Sequence, residues 1–510
     1  MPDIYPPMNN TDKPIEIRHL LTDSELTCFV VPGLFSSQEC EELVSPGVKS
    51  AFQNAVLNYP VYYRNNDRLV VDDDALAQYL FNKIRGYLPH TIEDVQKGTS
   101  EKEIWELAEL NSRLRLCRYA ANQYFNRHLD GIHYRSDTRQ SRLTFMVYLN
   151  SATMFGGGRT LFYKSKSDTE IWAAYTPVQG DLIIFDHNLW HEGEMLTAGE
   201  KYVLRSDILY ERTSNPAATG PFSAHLGYIW KLLNFNNEVL ISGGRDKSVN
   251  VWSKAGVLQQ SLKAHNNSIL CLEQLDDKTF VSGSRDKRII AWKKQADGSF
   301  VQNGIVATHR SVVLSLRRLS DTQFAAAGGD NATTIWNIDG HQQQLLTGHT
   351  GWVWDVIVPE EGYLISCSDD KRIIVWRGES AVATFSEPHA VLTIIFNTGK
   401  RQLISGNLNG DITIRNLDAN YREEEGTTIH AHNGLVRCLI VINDTYIASG
   451  GEDNKVKIWN TETGSCMLEI AHDNFVQSLL VVDNVLFSAS YDGTIKQTNL
   501  VQIGMEKAGY

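Results

Sequence analysis

The sequence predicts a mainly β protein in two parts, a double-stranded β-helix (jelly roll) with flanking helices and then a seven-bladed β-propeller. Three observations predict it. The hydrophobic period changes from helical to two near Arg113. Beyond residue 222 one pattern returns seven times. And 510 residues, 42 % hydrophobic and 21 % charged, are ordinary folded composition at a length that calls for more than one core.

In chain order, residues 1–22 read as a loose lead-in. Met1 to Glu16 holds four prolines and no apolar core of a secretory signal. A domain over 23–212 follows. Val30 to Phe35 suits a strand, and Ser36-Ser37-Gln38-Glu39 suits a capping box that opens a helix. Asp72, Asp73 and Asp74 place carboxylates at the start of a second helix, where the dipole favours them. Leu76, Tyr79, Leu80, Ile84, Tyr87 and Leu88 recur at helical spacing until Pro89 stops them. A third helix is expected around Glu101 to Asn111. Strands are expected at 114–119, 143–149, 160–163, 182–185 and 201–210, with turns at Gly156-Gly157-Gly158 and Gln179-Gly180-Asp181. Helices first and short strands after suggest the jelly roll. Residues 213–221, rich in Ser, Pro and Gly, read as a linker, and 222–510 as the propeller.

The propeller pattern is a His, then an Asp or Asn 20 or 21 residues on, then usually a Trp six later. The sets are His225/Asp246/Trp252, His265/Asp286/Trp292, His309/Asp330/Trp336, His349/Asp370/Trp376, His389/Asn409/Arg415, His432/Asp453/Trp459 and His472/Asp492/Thr498. This resembles the WD repeat, and seven units imply seven four-stranded blades. In that setting the His, Asp and Trp side chains are blade-stabilising networks, not metal or catalytic groups. Two positions per unit should reach one rim. Three residues after each His stand Tyr228, Ser268, Val312, Trp352, Leu435 and Phe475, and just before each Asp stand Arg245, Arg285, Asp369, Glu452 and Tyr491. Aromatic and Arg side chains on a rim are the usual anchors of a protein partner. Tyr228, Trp352, Phe475, Arg245 and Arg285 are therefore the expected partner-binding rim.

The first domain carries the chemistry. His128 and Asp130 are separated by one residue, His191 stands 63 residues beyond His128, and Lys201 ten beyond that. Two imidazoles and a carboxylate can fill one face of an octahedral Fe(II) and leave positions for O₂ and a chelating co-substrate. His187, four residues before His191, competes for the ligand role, and the His191-Glu192-Gly193 run decides for His191. Around these residues stand Arg118-Tyr119, Tyr124-Phe125, the run from Phe155 to Phe162, Gly180 to Phe185, and Gly199 to Asp207. In this order they resemble the catalytic domain of prolyl-4-hydroxylase-like Fe(II)/2-oxoglutarate dioxygenases over roughly residues 25–212. The resemblance implies Fe(II), 2-oxoglutarate and O₂, with ascorbate as reductant. It implies that Lys201 holds the distal carboxylate of 2-oxoglutarate, with Tyr148 beside it, Tyr119 near the chelating end and Arg205 sharing or competing for the role. Asp130 favours hydroxylation, since Gly or Ala there would open a halide site. Arg159 departs from the family, which often has an acidic residue in that turn. Arg64, Arg68, His133, Arg135 and Arg159 are the substrate-side candidates.

The resulting expectation is an Fe(II)- and 2-oxoglutarate-dependent hydroxylase of a protein side chain, prolyl first, with the propeller recruiting substrate or partner. The alternatives are a small-molecule hydroxylase with a scaffolding propeller and a non-catalytic WD-repeat adaptor. A net charge of −12 makes the chain a poor phosphate binder, so nucleic acid is not expected as a partner. No run reaches the ~18 apolar residues of a membrane span. Seven cysteines, odd in number and without CxxC, suggest no disulfide framework. A cytoplasmic or nuclear setting is expected.

Overall fold

The structure, a computed structural model, describes residues 15–55, 59–60, 63–95, 102–136, 138–166, 168–213, 222 and 225–504. The expected linker, apart from Thr213, and most of the lead-in lie outside these residues. The chain divides into two compact units, Met1–Ala217 and Ala218–Tyr510.

The first unit is a jelly roll. Its larger sheet carries the strands Cys28–Val31, Leu182–Asp186, Arg139–Tyr148, Lys201–Arg212, Arg113–Tyr119 and Asp67–Asp72 in that spatial order. Its smaller sheet runs Ala173–Tyr175, Thr160–Tyr163, Trp190–Gly193 and Phe125–His128. Because side chains alternate along a strand, each large strand serves two cores. Leu114, Leu116, Phe145, Val147 and Leu204 pack against the helices. Cys117, Tyr119, Met146, Tyr148 and Val203 face the other way and share a core with Phe125 and Phe162 of the smaller sheet.

The two expected helices form with the expected caps. Ser36 accepts from the Glu39 N–H at 3.2 Å, and Glu39 accepts from the Ser36 N–H at 2.7 Å, at the head of Ser37–Leu43. Asp73 accepts from the Leu76 N–H at 2.9 Å at the head of Asp74–Ile84. The third expected helix is instead a strand, Lys102–Leu110, paired with Lys201–Arg212 and Thr91–Val95. Its register jumps between Glu109 and Leu107, which bulges out Ala108. Trp105, Leu107 and Leu110 thus reach one core at spacings of two and three, which imitates a helical period.

The second unit is a seven-bladed propeller. Six sheets have four strands, and the last has three among the described residues. The first strand of each blade packs beside that of the next, and Val476–Val482 packs beside Ile229–Phe235, closing the ring. In four blades a serine gathers the repeat residues. In one, Ser282 Oγ lies 2.8 Å from His265 Nε2 and accepts from Trp292 Nε1 at 2.8 Å, while His265 Nδ1 meets Asp286 at 3.1 Å. Ser242, Ser366 and Ser449 do the same for His225, His349 and His432.

Three blades depart. In the third, Ala326 replaces the serine, and among the described residues His309 Nε2, 3.8 Å from Asp330, and Trp336 Nε1 are buried without a hydrogen-bond partner. In the fifth, the expected His389/Asn409/Arg415 set is not the one that forms. Glu387 occupies the buried position, paired with Arg415 at 2.6 Å and accepting from Ser405 at 3.0 Å. Two buried charges stand there where five of the other blades keep an imidazole and an indole. In the seventh, His472 keeps its serine, Ser488, at 2.7 Å, and Thr498 replaces the Trp.

Candidate active site

His128 ends the Phe125–His128 strand, and His191 sits directly opposite it on Trp190–Gly193. Their rings are 4.2 Å apart. Each Nδ1 faces a backbone carbonyl two residues back, Asn126 O at 2.7 Å and Leu189 O at 2.9 Å. A carbonyl can only accept, so each Nδ1 carries the proton and each Nε2 keeps a lone pair. The carboxylate of Asp130 is 3.5 Å from one Nε2 and 3.7 Å from the other. One ligand atom from each residue lies within 4.8 Å of the others, and all three side chains are buried. Among the described residues, His128 Nε2 has no hydrogen-bond partner. Burial depresses both imidazoles, His191 to about 3. Burial works against an ionised Asp130, yet Arg205 and the two imidazoles hold its carboxyl well below the usual range. Two neutral imidazoles and one anion are the donor set that Fe(II) requires, so these residues fit the metal.

The surroundings hold that geometry. Phe125 stacks on His128 at 3.7 Å, and the Arg64 guanidinium lies 4.1 Å from the Phe125 ring centre. Thr144 Oγ1 donates to Asp130. Arg205 ion-pairs with Asp130 and so stands at the metal ligands, not in the Lys201 pocket where sharing the distal carboxylate would place it.

Lys201 is 3 % exposed. Its Nζ donates to Gly158 O at 2.6 Å and lies 5.5 Å from the rings of both Tyr119 and Tyr148. The carbonyl points there because Gly157 and Gly158 take left-handed backbone, φ +71° and +74°. Tyr148 Oη shares a hydrogen bond with Thr160 at 2.7 Å. Burial pushes the Lys201 ammonium down to about 8. A buried cation with one carbonyl acceptor among the described residues suits a carboxylate ligand.

The other candidates separate. Arg64 and Arg68 both sit over the Tyr59 ring, at 5.3 and 5.8 Å, and Arg68 donates to Tyr59 at 3.1 Å. Arg135 pairs with Glu109 at 3.2 Å, and Arg159 with Glu194 at 2.7 Å, both with side chains over 40 % exposed. The His133 N–H donates to Ser141 at 2.7 Å. Sequence reasoning missed Tyr63, whose ring is 5.7 Å from His128, and the Arg115–Asp207 pair at 2.8 Å. On the propeller, Tyr228 stacks on Tyr491 at 3.9 Å, Phe475 lies 5.5 Å from Tyr491, and Arg245 sits over Tyr228 at 4.7 Å. Arg285 is half-buried. Trp352 departs from the expected exposed rim. It is 6 % exposed, wedged against Gly329 and 5.7 Å from Trp354.

Residues 114–206 match the family model described as the 2OG-Fe(II) oxygenase superfamily. Residues 216–253, 256–293, 340–377 and 423–460 match the WD domain, G-beta repeat. These four repeats carry the four complete His–Ser–Asp–Trp networks, and the blades without a match are those where the network is broken. The chain is similar to cell division control protein 4 of Saccharomyces cerevisiae, 28 % identical over 52 % of this chain and 35 % of that protein. It is also similar to a WD repeat-containing protein 26 homolog of Arabidopsis thaliana, 27 % identical over 36 % and 33 % of the two chains. With a p21-activated protein kinase-interacting protein 1-like protein of Xenopus laevis it shares 25 % identity over 41 % and 57 %. The chain thus spans between a third and just over half of the length of these curated relatives. Fold, donor set and family models agree that a domain of the 2OG-Fe(II) oxygenase superfamily is here fused to a WD-repeat propeller.

Proposed function

We propose that the chain is an Fe(II)- and 2-oxoglutarate-dependent hydroxylase that acts on a protein side chain, prolyl first, and that its propeller recruits the substrate or a partner. The observation that carries this reading is the pairing of two features in one pocket. Two imidazoles with Nδ1 pinned by carbonyls converge on one buried carboxylate. On the same pocket wall, Lys201 is a buried ammonium with a carbonyl and two tyrosine rings around it. An adaptor that had lost catalysis would have no use for a buried cation that lowers its own stability.

Fe(II) with 2-oxoglutarate, when bound, supplies the O₂ chemistry that couples decarboxylation to insertion of oxygen into a C–H bond. The chain's own residues do the rest. His128, Asp130 and His191 hold the metal. Lys201 anchors the distal carboxylate, and Tyr148 and Tyr119 wall it. Arg205 and Thr144 fix both oxygens of Asp130, which keeps the carboxylate from turning. The propeller supports a protein substrate through its aromatic rim of Tyr228, Tyr491 and Phe475.

The test is succinate formation from 2-oxoglutarate with Fe(II), ascorbate and O₂, set beside calorimetric binding of Mn(II) and 2-oxoglutarate. Succinate from wild type and none from His128→Ala is the expected result. A chain that binds neither metal nor 2-oxoglutarate would overturn the reading and leave the adaptor.

A further inference from the structure

Four guanidiniums gather on the pocket wall beside the metal ligands. Arg68, Arg115 and Arg205 stand on neighbouring strands, Asp67–Asp72, Arg113–Tyr119 and Lys201–Arg212. Their alternating neighbours Leu69, Leu114, Leu116 and Leu204 pack into the helix-side core. The arginines therefore project with Cys117, Tyr119 and Val203 into the jelly roll. Arg205 and Arg115 are direct cross-strand partners, and Arg68 pairs with Cys117, the next inward position. Arg64, 4 % exposed, lies 5.3 Å from the Tyr59 ring, over which Arg68 also sits at 5.8 Å.

Like charges placed directly opposite each other destabilise a sheet. Among the described residues, the carboxylates that pair with these four cations are Asp207, which accepts from Arg115, and Asp130, which accepts from Arg205. Asp130 belongs to the metal. Fe(II), 2-oxoglutarate, Asp130 and Lys201 together carry no net formal charge. The filled site therefore leaves four guanidiniums facing Asp207 alone. Among the described residues, the Nε atoms of Arg68 and Arg205 are buried without an acceptor. His187, 3 % exposed, stands at the same wall with neither ring nitrogen hydrogen-bonded among the described residues. A buried donor left unmade is costly, and these donors share one pocket.

We propose that the substrate carries an anionic group, a carboxylate or a phosphate, which Arg68 and Arg115 receive while Arg205 stays on Asp130. The guanidinium fork matches both anions in two-pronged hydrogen bonds. This inference rests on the hydroxylase reading and narrows its substrate to an acidic one. Asp207 is then the counter-charge that holds Arg115 in place until substrate arrives.

The full chain, loaded with redox-inert Mn(II) and saturating 2-oxoglutarate so that Lys201 is occupied, is titrated with inorganic phosphate and with ¹³C-carboxyl acetate. The paramagnetic metal speeds ³¹P or ¹³C relaxation of an anion held beside it. Saturable enhancement is expected for at least one anion. It should weaken about tenfold in affinity in Arg68→Gln/Arg115→Gln. It should strengthen several-fold in Asp207→Asn, a change in the opposite direction that misfolding would not give. The larger effect on phosphate assigns a phosphorylated substrate, and on acetate a carboxylate-bearing one. Mn(II) bound to wild type, seen by EPR, with neither anion relaxed beyond the level of His128→Ala would overturn this inference and leave the hydroxylase reading standing. Failure of wild type to bind Mn(II) would remove both.

Discussion

Replacing Lys201 by Met should stabilise the ligand-free protein while destroying its co-substrate site. Burial lowers the ammonium from 10.5 to about 8. At about 1.4 kcal/mol per tenfold change in proton affinity, the buried charge costs the fold about 3 kcal/mol. Met keeps the volume and removes the charge, but it also removes the 2.6 Å bond to Gly158 O. That loss returns about 1–2 kcal/mol. The net gain is therefore about 1–2 kcal/mol, or roughly 4 °C in Tm for a unit of this size. The lysine's value is lower folded than unfolded, so its penalty is complete below pH 8 and fades as pH rises from 8 towards 10.5. The advantage of the Met chain should shrink across that window. Calorimetry of the full chain at several pH values measures this, the oxygenase transition being the one that Mn(II) moves. Affinity for 2-oxoglutarate should fall about a hundredfold or more. A Met chain destabilised by more than about 1 kcal/mol at pH 7, or one that binds 2-oxoglutarate like wild type, would refute the reasoning.

Wild-type affinity for 2-oxoglutarate should be flat below pH 8 and weaken above it as Lys201 loses its proton, which isothermal titration across pH 6.5–9.5 reads directly. His191→Ala should lose Mn(II) binding by at least about a hundredfold by EPR, since it removes one of the three protein ligands while leaving the strand pairing in place. Trp292→Phe should cost the propeller about 1–2 kcal/mol in urea unfolding, because it deletes the indole bond to Ser282, and should leave metal binding alone. Gly180→Ala should destabilise the jelly roll by about 3 kcal/mol or more. Its φ is +85°, and a Cβ would stand 2.0 Å from Phe35 O; normal unfolding in that variant would argue against this turn geometry.

What was legible in the sequence was local or repeated. His128 and Asp130 are two residues apart on one strand end, and the capping box at Ser36 spans one helical turn, so neither needed the fold to be seen. The four complete blades announced themselves by strict spacing. The bulge at Ala108 hid a strand because one extra residue erases a period of two. Glu387 was missed because His389 held the familiar place two residues on, and nothing local says which side chain turns inward. Arg115 and Arg205 are 90 positions apart in sequence and meet only through register. Their conflict, and Asp207 as its partial answer, exist only once the sheet is paired. Trp352 looked like a rim anchor by residue type, but the loop around Gly329 covers it.

The propeller's ring also sets a timetable for its own synthesis. Its seam is made by Phe222, Leu232 and Trp252 packing with Val482, Phe487 and Ile495, and by the Leu232 N–H donating to Ser478 across 246 positions of chain. At roughly 5–20 residues per second, a ribosome leaves that face of the first blade uncovered for roughly 10–50 s after it emerges. Each later blade finds its neighbour already made, whereas the first must wait for the last. The nascent chain is therefore stickiest at its first blade, and a premature stop anywhere before the seventh strands an apolar surface that the finished protein never shows. Quality control of this protein should turn on that one face.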